Sequence, residues 1–311
     1  MVRYELAGRT IAITGSTGGL GNALAAELRR RGANIALMDL NSEALARQAS
    51  SLGGPDAARA YNVDVRDMST LQAAMDAAAA EFGHLDVVIA GAGVEVMSTM
   101  ALLDPEQFEQ TIDINLTGVW RTFRAALPHV QSAKGYLQAI SSMAAFVHSP
   151  LQAPYTASKA GVWAMSDSIR LEVRHLGVDV GTVHPTFFST PMMDRVLANP
   201  AGRRLWGEHK SPLWKMVPLE LVVAETVAAI ERRAAMTVVP RRIGAIARAA
   251  GFARPLIDRV GWPGNTIEQT IDLVNRDRAD VPDHDPVSED RGTQLFRRRG
   301  AMHQSLGGRL A

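Results

Sequence analysis

The sequence predicts a doubly wound α/β domain, a parallel sheet with helices on both faces, followed by a C-terminal helical extension. Three observations carry this. The apolar run Thr10-Ile11-Ala12-Ile13-Thr14 passes through the glycine-rich Gly15-Ser16-Thr17-Gly18-Gly19-Leu20-Gly21 into a helical pattern at Leu24 and Leu28. Short apolar runs then alternate with helix-length segments as far as Val239, the signature of parallel strands joined by helical crossovers. The runs end in Asp39, Asp64, Gly91 and Ser142, polar or small residues at the strand ends where such sheets bind ligands.

Taken in order, the first strand, glycine turn and helix make a phosphate cradle. Glycine lets the backbone approach a pyrophosphate, and the helix N-terminus supplies free amides. A glycine turn of this kind also serves as a mere tight turn. The second strand, Asn34 to Met38, ends at Asp39, placed to accept hydrogen bonds from a ribose or to cap the following helix at 41–52. Its charge opposes a 2′-phosphate, and no Arg or Lys stands in the glycine turn or at 40–42, so the expected dinucleotide is NAD. A third strand, Arg59 to Val63, ends at Asp64-Val65 and feeds an alanine-rich helix to Phe82; a fourth, Asp86 to Ala90, opens into Gly91-Ala92-Gly93. A long helix is expected from Asp104 to about Val130. Asn115 inside it is a poor helix former, there for a site or for a local kink. Tyr136 to Ile140 is the fifth strand, ending in Ser141-Ser142, and Val178 to Val183 the sixth. Between them a helix from Gln152 to His175 carries Tyr155 and Lys159 one turn apart on one face. A fixed ammonium beside a phenol favours the phenolate. The same spacing also describes a surface tyrosine under a lysine stem.

Composition narrows the classes. A formal net charge of +1, with both signs spread along the chain, argues against a nucleic-acid-binding protein. The absence of cysteine removes disulfides and thiolate chemistry, and the eight scattered histidines form no ligand cluster, so no metal is expected. The charged N-terminus does not read as a secretory signal and no apolar stretch is long enough to span a bilayer, which points to a cytoplasmic protein.

Thr14-Gly15-x-x-x-Gly19-x-Gly21, with Asn115, Ser142, Tyr155 and Lys159 in order and spacing, resembles the short-chain dehydrogenase/reductase family over roughly residues 5–240. The resemblance implies a Rossmann-type catalytic domain over 1–240 that binds NAD. Tyr155 would be the general acid/base, and Ser142 would hold the substrate oxygen. Lys159 would bind the nicotinamide ribose beside Tyr155 and lower the tyrosine pKa, while Asn115 would hold a water linking Lys159 to solvent. Gly15, Thr17, Gly19, Leu20 and Gly21 would line the pyrophosphate, Asp39 the ribose, and Asp64 with Val65 the adenine. Ala90 and Gly91 would lie alongside, with Pro185 and Thr190 on the nicotinamide side. Two departures stand out: Ala90-Gly91-Ala92-Gly93 replaces Asn-Asn-Ala-Gly, and Pro185-Thr186 replaces Pro-Gly. The family also implies a homodimer or homotetramer through the helices at 104–130 and 152–175.

The family's variable substrate lid falls at about 187–217. It holds Phe187, Phe188, Met192, Met193, Trp206, Trp214 and Met216, which suits a lipophilic substrate, steroid-like or long-chain, and equally suits plain packing. Met143, Phe146 and His148 are further candidates for that pocket. A helix at 219–233 and a seventh strand at 236–239 complete the domain. In the extension, 241–311, arginines alternate with apolar residues over 241–260, the pattern of a basic amphipathic helix able to touch an anionic membrane or to pack on the core. Asn265-x-x-Glu268 reads as a capping box for a last helix, and beyond Asn275 a mobile tail is expected. The leading expectation is an NAD-dependent oxidoreductase acting on a secondary alcohol or carbonyl. The alternative is a dinucleotide-binding protein without turnover that docks through its basic tail.

Overall fold

The computed structural model describes residues 3–206, 215–251, 262 and 264–279. Seven parallel strands form one sheet in the order β3-β2-β1-β4-β5-β6-β7. They are β1 (Thr10–Thr14), β2 (Asn34–Asp39), β3 (Ala58–Asn62), β4 (Val87–Ala90), β5 (Tyr136–Ile140), β6 (Asp179–Pro185) and β7 (Met236–Val239). The chain winds outward from β1 to β3, then returns to place β4 on the other side of β1. β1 pairs with both β2 and β4, so the order reverses at β1 and a crevice opens above it. The central strands β1, β4 and β5 are buried at every residue because helices cover both faces, whereas the edge strand β3 alternates buried with more exposed positions.

The helices follow the apolar patterns. Against one face lie α1 (Gly19–Arg30), with Leu24, Ala25 and Leu28 inward, and α9 (Leu219–Arg232); α2 (Ser42–Ser51) lies beside β2 and β3. The other face is covered by α3 (Met68–Phe82), by α4 (Pro105–Ile112) continuing through a π-helical turn (Asp113–Thr117) into α5 (Gly118–Ser132), and by α6 (Ala153–Val173). The expected single helix from Asp104 is therefore interrupted. The interruption falls at Asn115, which is both a kink and a buried, hydrogen-bonded position.

The lid carries α7 (Pro191–Ala198) and α8 (Pro200–Leu205), and the extension carries α10 (Gly244–Arg248) and α11 (Thr266–Ala279). Trp206 is fully buried there, edge-on to Phe187 at 5.4 Å between ring centroids, in a cluster with Val196, Leu205 and Trp262. The described part of the basic segment departs from the amphipathic helix expected over 241–260. It is a single 3₁₀ turn and the five-residue α10, with Ala247 buried against Val238 and Phe146, while Arg241 pairs with Glu225 at 2.8 Å. Arg254, Leu256, Ile257 and Arg259 lie outside the described residues, as does Trp214. α11 continues through Ala279, past Asn275 where a mobile chain was expected to begin, because its Ile267 face packs on the lid cluster. Asn265 Oδ1 accepts from the Gln269 side chain at 2.7 Å, one residue beyond the position a capping box uses. The tail from 280 lies outside the described residues. Among the described residues no helix is long and apolar enough to cross a membrane.

Candidate active site

A cavity of about 570 Å³ sits over the carboxyl ends of β1, β4, β5 and β6. At one end lies the glycine turn. Gly15 has φ +73°, and a Cβ there would stand 2.7 Å from the Ala92 backbone; at Gly21 a Cβ would stand 2.2 Å from the Gly15 carbonyl oxygen. Only glycine lets the turn close this tightly against the loop after β4. α1 begins at Gly18 with no side-chain cap and no acidic residue in its first turn. By contrast α2, α3 and α4 are capped by Asn41, Asp67 and Asp104. The α1 amides thus face the cavity free of a side-chain partner, the condition an anionic group needs.

Asp39 is held at the end of β2 by three donors. Its Oδ2 accepts from Thr17 Oγ1 at 2.7 Å and Thr17 N at 3.1 Å, and its Oδ1 from Leu40 N at 2.7 Å. Asp64 lies on the same rim, gripped by Arg66 through both carboxylate oxygens. Burial opposes ionisation of Asp64, and the Arg66 guanidinium overcomes it, holding the carboxyl below its usual range. Arg66 itself lines the cavity, a residue sequence reasoning passed over. Thr17, Gly19, Leu20, Val65, Gly91, Pro185 and Thr190 all line the cavity. Ala90 does not: it is buried in the sheet between Thr14 and Ala139.

The catalytic candidates converge at the middle of the cavity. Ser142, at the end of β5, hydrogen-bonds the Tyr155 phenol, and its Oγ accepts from Ala144 N at 3.1 Å. Lys159 Nζ lies 5.5 Å from the centroid of the Tyr155 ring and donates to the Ile140 carbonyl at 2.9 Å. Asn115 stands behind them rather than in the cavity. Its Oδ1 accepts from Val94 N at 2.8 Å and its Nδ2 donates to Val94 O at 2.9 Å and to Ser158 Oγ at 3.2 Å. The π-helical turn aims this amide at the loop after β4, which Asn115 ties down together with Thr14 Oγ1, acceptor to Gly91 N at 3.2 Å. Those bonds secure a loop that lacks the usual asparagines.

Burial dominates the electrostatics of this group. Tyr155 is pushed above the ordinary phenol range, first by burial and then by the charge of Glu95, with only the Ser142 hydrogen bond pulling down. Lys159 is itself lowered to about 8 by burial, against the pull of Glu95. Spacing along a helix indicated the pairing but not the desolvation.

At the other end the lid supplies Phe187, Phe188, Met192, Met193 and Trp206, and the extension contributes Ile243 and Ile246. Met143 joins this wall. Phe146 and His148 are not among the lining residues, and Phe146 is instead buried against Trp163 and His184, at 4.9 and 4.8 Å between ring centroids. Met216 also lies away from the cavity. Sequence reasoning missed a polar corner formed by Glu95, Ser149, Gln152 and Arg195. These stand on loops and on the lid, where no periodicity marks them.

Thr190 and Pro191 come within 3.1 Å of where a Gly19 Cβ would lie, so the start of the lid closes directly on the glycine turn. The glycine turn and the apolar lid thus share one enclosure.

Comparison with known proteins gives a consistent result. A family model described as short chain dehydrogenase matches residues 9–201. A D-threitol dehydrogenase from Mycolicibacterium smegmatis is 34% identical over 218 residues, covering 69% of this chain and 80% of that protein. A 3beta-hydroxysteroid dehydrogenase 1 from Eggerthella lenta is 34% identical over 205 residues, covering 64% of this chain and 78% of the other. In fold, the chain is similar to the crystal structure of a short chain dehydrogenase/reductase from Burkholderia phymatum in complex with NAD. That likeness has a TM-score of 0.71 at 22% identity and covers 84% of this chain and 99% of that one.

Proposed function

Because this chain belongs to the short-chain dehydrogenase/reductase family, we propose that it is an NAD-dependent oxidoreductase interconverting a secondary alcohol and a carbonyl on a lipophilic small molecule. The observation that carries the reading is the convergence of Ser142, Tyr155 and Lys159 on one cavity between the glycine cradle and an apolar lid.

The residues fit a dinucleotide. The uncapped start of α1 and the glycines at 15 and 21 accommodate a pyrophosphate, and Asp39, locked by Thr17 and Leu40, presents a fixed acceptor for ribose hydroxyls. The same fixed charge disfavours a 2′-phosphate. Asp64, Val65 and Arg66 form the rim for the adenine, and Thr190 lies against the cradle for the nicotinamide side. NAD supplies the hydride chemistry when bound.

The chain's own part is proton transfer and positioning. Tyr155 gives a proton to the carbonyl oxygen in reduction and takes it from the hydroxyl in oxidation. Burial pushes the phenol above its ordinary range, so Tyr155 holds its proton in the resting site and is the weaker acid for it. Ser142 holds the same oxygen, and Lys159, anchored on the Ile140 carbonyl, places a positive charge beside the ring. Asn115 fixes the loop after β4 against this group. Exposed Phe108, Trp120 and Leu171 on α4, α5 and α6 support a homodimer or homotetramer across those helices.

The relatives' names span a short polyol and a steroid. The wall of Phe187, Met192, Met193, Trp206 and Ile246 favours the larger, more apolar class. The test is NADH formation from NAD with steroid alcohols and long-chain secondary alcohols set against D-threitol. Higher kcat/KM for the lipophilic set supports the reading, and preference for the polyol overturns it.

A further inference from the structure

We propose that Glu95 is a specificity residue that selects a substrate carrying a second hydroxyl beside the reacting carbinol, so that the preferred substrate is a lipophilic vicinal diol or hydroxyketone. This rests on the dehydrogenase reading above.

A carboxylate is costly in a chamber walled by Met143, Val147, Phe187, Met193 and Trp206, and Glu95 is nevertheless fixed there. Its loop is anchored on both sides: Val94 exchanges two hydrogen bonds with Asn115, and Ser98 N donates to Leu151 O at 3.0 Å. The side chain is oriented as well. Gln152 is buried, its Oε1 accepts from Ser149 Oγ at 2.5 Å, and its Nε2 donates to Glu95 Oε1. An ionised Glu95 only accepts hydrogen bonds, so Gln152 meets it with the Nε2 donor while its Oε1 accepts from Ser149 Oγ. Oε2 accepts no hydrogen bond among the described residues and is left for a donor entering the cavity.

The charge stands close to the chemistry. Gln152, which holds Glu95, stands three residues before Tyr155 at the start of α6, and Glu95, Tyr155 and Lys159 line the same cavity, so a donor bound to Glu95 shares the chamber with the group held by Tyr155. Burial pushes Glu95 up to about 7 against the pull of Lys159 and Arg195, as befits a group with no full counter-ion of its own. The nature of the donor follows from those same neighbours. Lys159 from α6 and Arg195 from α7 repel an ammonium, whereas a neutral hydroxyl meets no such penalty. A site built to satisfy a hydroxyl rejects the analogue lacking it, because the carboxylate would be desolvated without compensation.

The test separates recognition from turnover. Binding of hydrobenzoin, a lipophilic vicinal diol, and of its monodeoxy analogue is measured by calorimetry on the Tyr155→Phe protein with NAD, where no reaction competes. The expected result is a Kd at least about tenfold lower for the diol. Adding Glu95→Leu should bring the two Kd values together, and Glu95→Gln should leave a reduced preference. Thermal melts establish that each variant is folded. Equal affinities before mutation, failure of either compound to bind, or a preference that survives Glu95→Leu would overturn the proposal. Failure of the dehydrogenase reading is seen separately, as absence of NADH formation by the protein with Tyr155 intact.

Discussion

Replacing Asp39 by Asn tests the cofactor end of the site through charge alone. Asn keeps the shape, and its carbonyl oxygen can still accept from Thr17 Oγ1 and Thr17 N where Asp39 Oδ2 accepts now at 2.7 and 3.1 Å. The three bonds on Asp39 prevent its carboxylate from swinging away from an incoming 2′-phosphate, so repulsion cannot be relieved by rotation. At a separation of about 6 Å and an effective dielectric constant of about 40, one unit pair is worth roughly 1.4 kcal/mol. A phosphate monoester carries about −1.5 to −2, and screening at the open rim removes about half of the total. What remains is about 1–1.5 kcal/mol, or roughly tenfold in the ratio of NADPH to NADH affinity. Fluorescence titrations of both cofactors measure that ratio directly. Asp39→Asn should narrow the preference for NADH by about tenfold, and a ratio unchanged from wild type would refute the role given to Asp39.

Other perturbations follow from the same geometry. Gly21→Ala places a Cβ 2.2 Å from the Gly15 carbonyl oxygen, so it should abolish measurable NADH binding and lower Tm by several degrees, both seen in a melt with and without cofactor. Trp206→Ala empties a fully buried site and should cost about 3 kcal/mol in denaturant unfolding, with KM for lipophilic alcohols rising because the lid loses its anchor. Because the folded-state pKa of Glu95 is raised to about 7 from an ordinary 4.5, the folded protein binds the extra proton between those values. Stability should therefore fall as pH rises from about 4.5 to 7. Glu95→Gln should remove that slope and be more stable than wild type at pH 8 by about 1–2 kcal/mol, measured by urea denaturation at both ends of the window. Glu95 also raises the Tyr155 pKa, so the same variant should shift the alkaline rise of kcat/KM for alcohol oxidation to lower pH.

Much of this was legible in the chain. The strand, glycine turn and helix from Thr10 to Arg30 are local features with their own signals, and the alternation beyond them fixes a parallel sheet by the length of its crossovers. Asn115, Ser142, Tyr155 and Lys159 were singled out by their match to the family pattern in order and spacing, whereas strand ends and helix spacing alone left each of them open. Asn115 illustrates both sides. Its misfit in a helix was visible, but the π-helical turn that aims it at Val94 depends on the loop after β4. The upward push on Tyr155 was not legible, since burial depends on the tertiary fold and not on spacing along a helix. Glu95, Ser149 and Gln152 were missed for a related reason. They lie on loops or at a helix start, and only the fold brings them to one wall. The extension was read as a membrane-facing or packing helix. Its place in the wall of the cavity, through Ile243 and Ile246, depends on the 3₁₀ turn and short helix after β7, which composition does not encode.

The most direct test of the account is NADH formation from NAD and a panel of lipophilic secondary alcohols by the wild-type protein and by Tyr155→Phe, both shown by titration to bind NADH equally. The account predicts turnover by the wild type and a loss of at least about a hundredfold in kcat in the variant, the scale of a missing acid/base. A variant that retains wild-type turnover would contradict it, because proton transfer would then not pass through Tyr155.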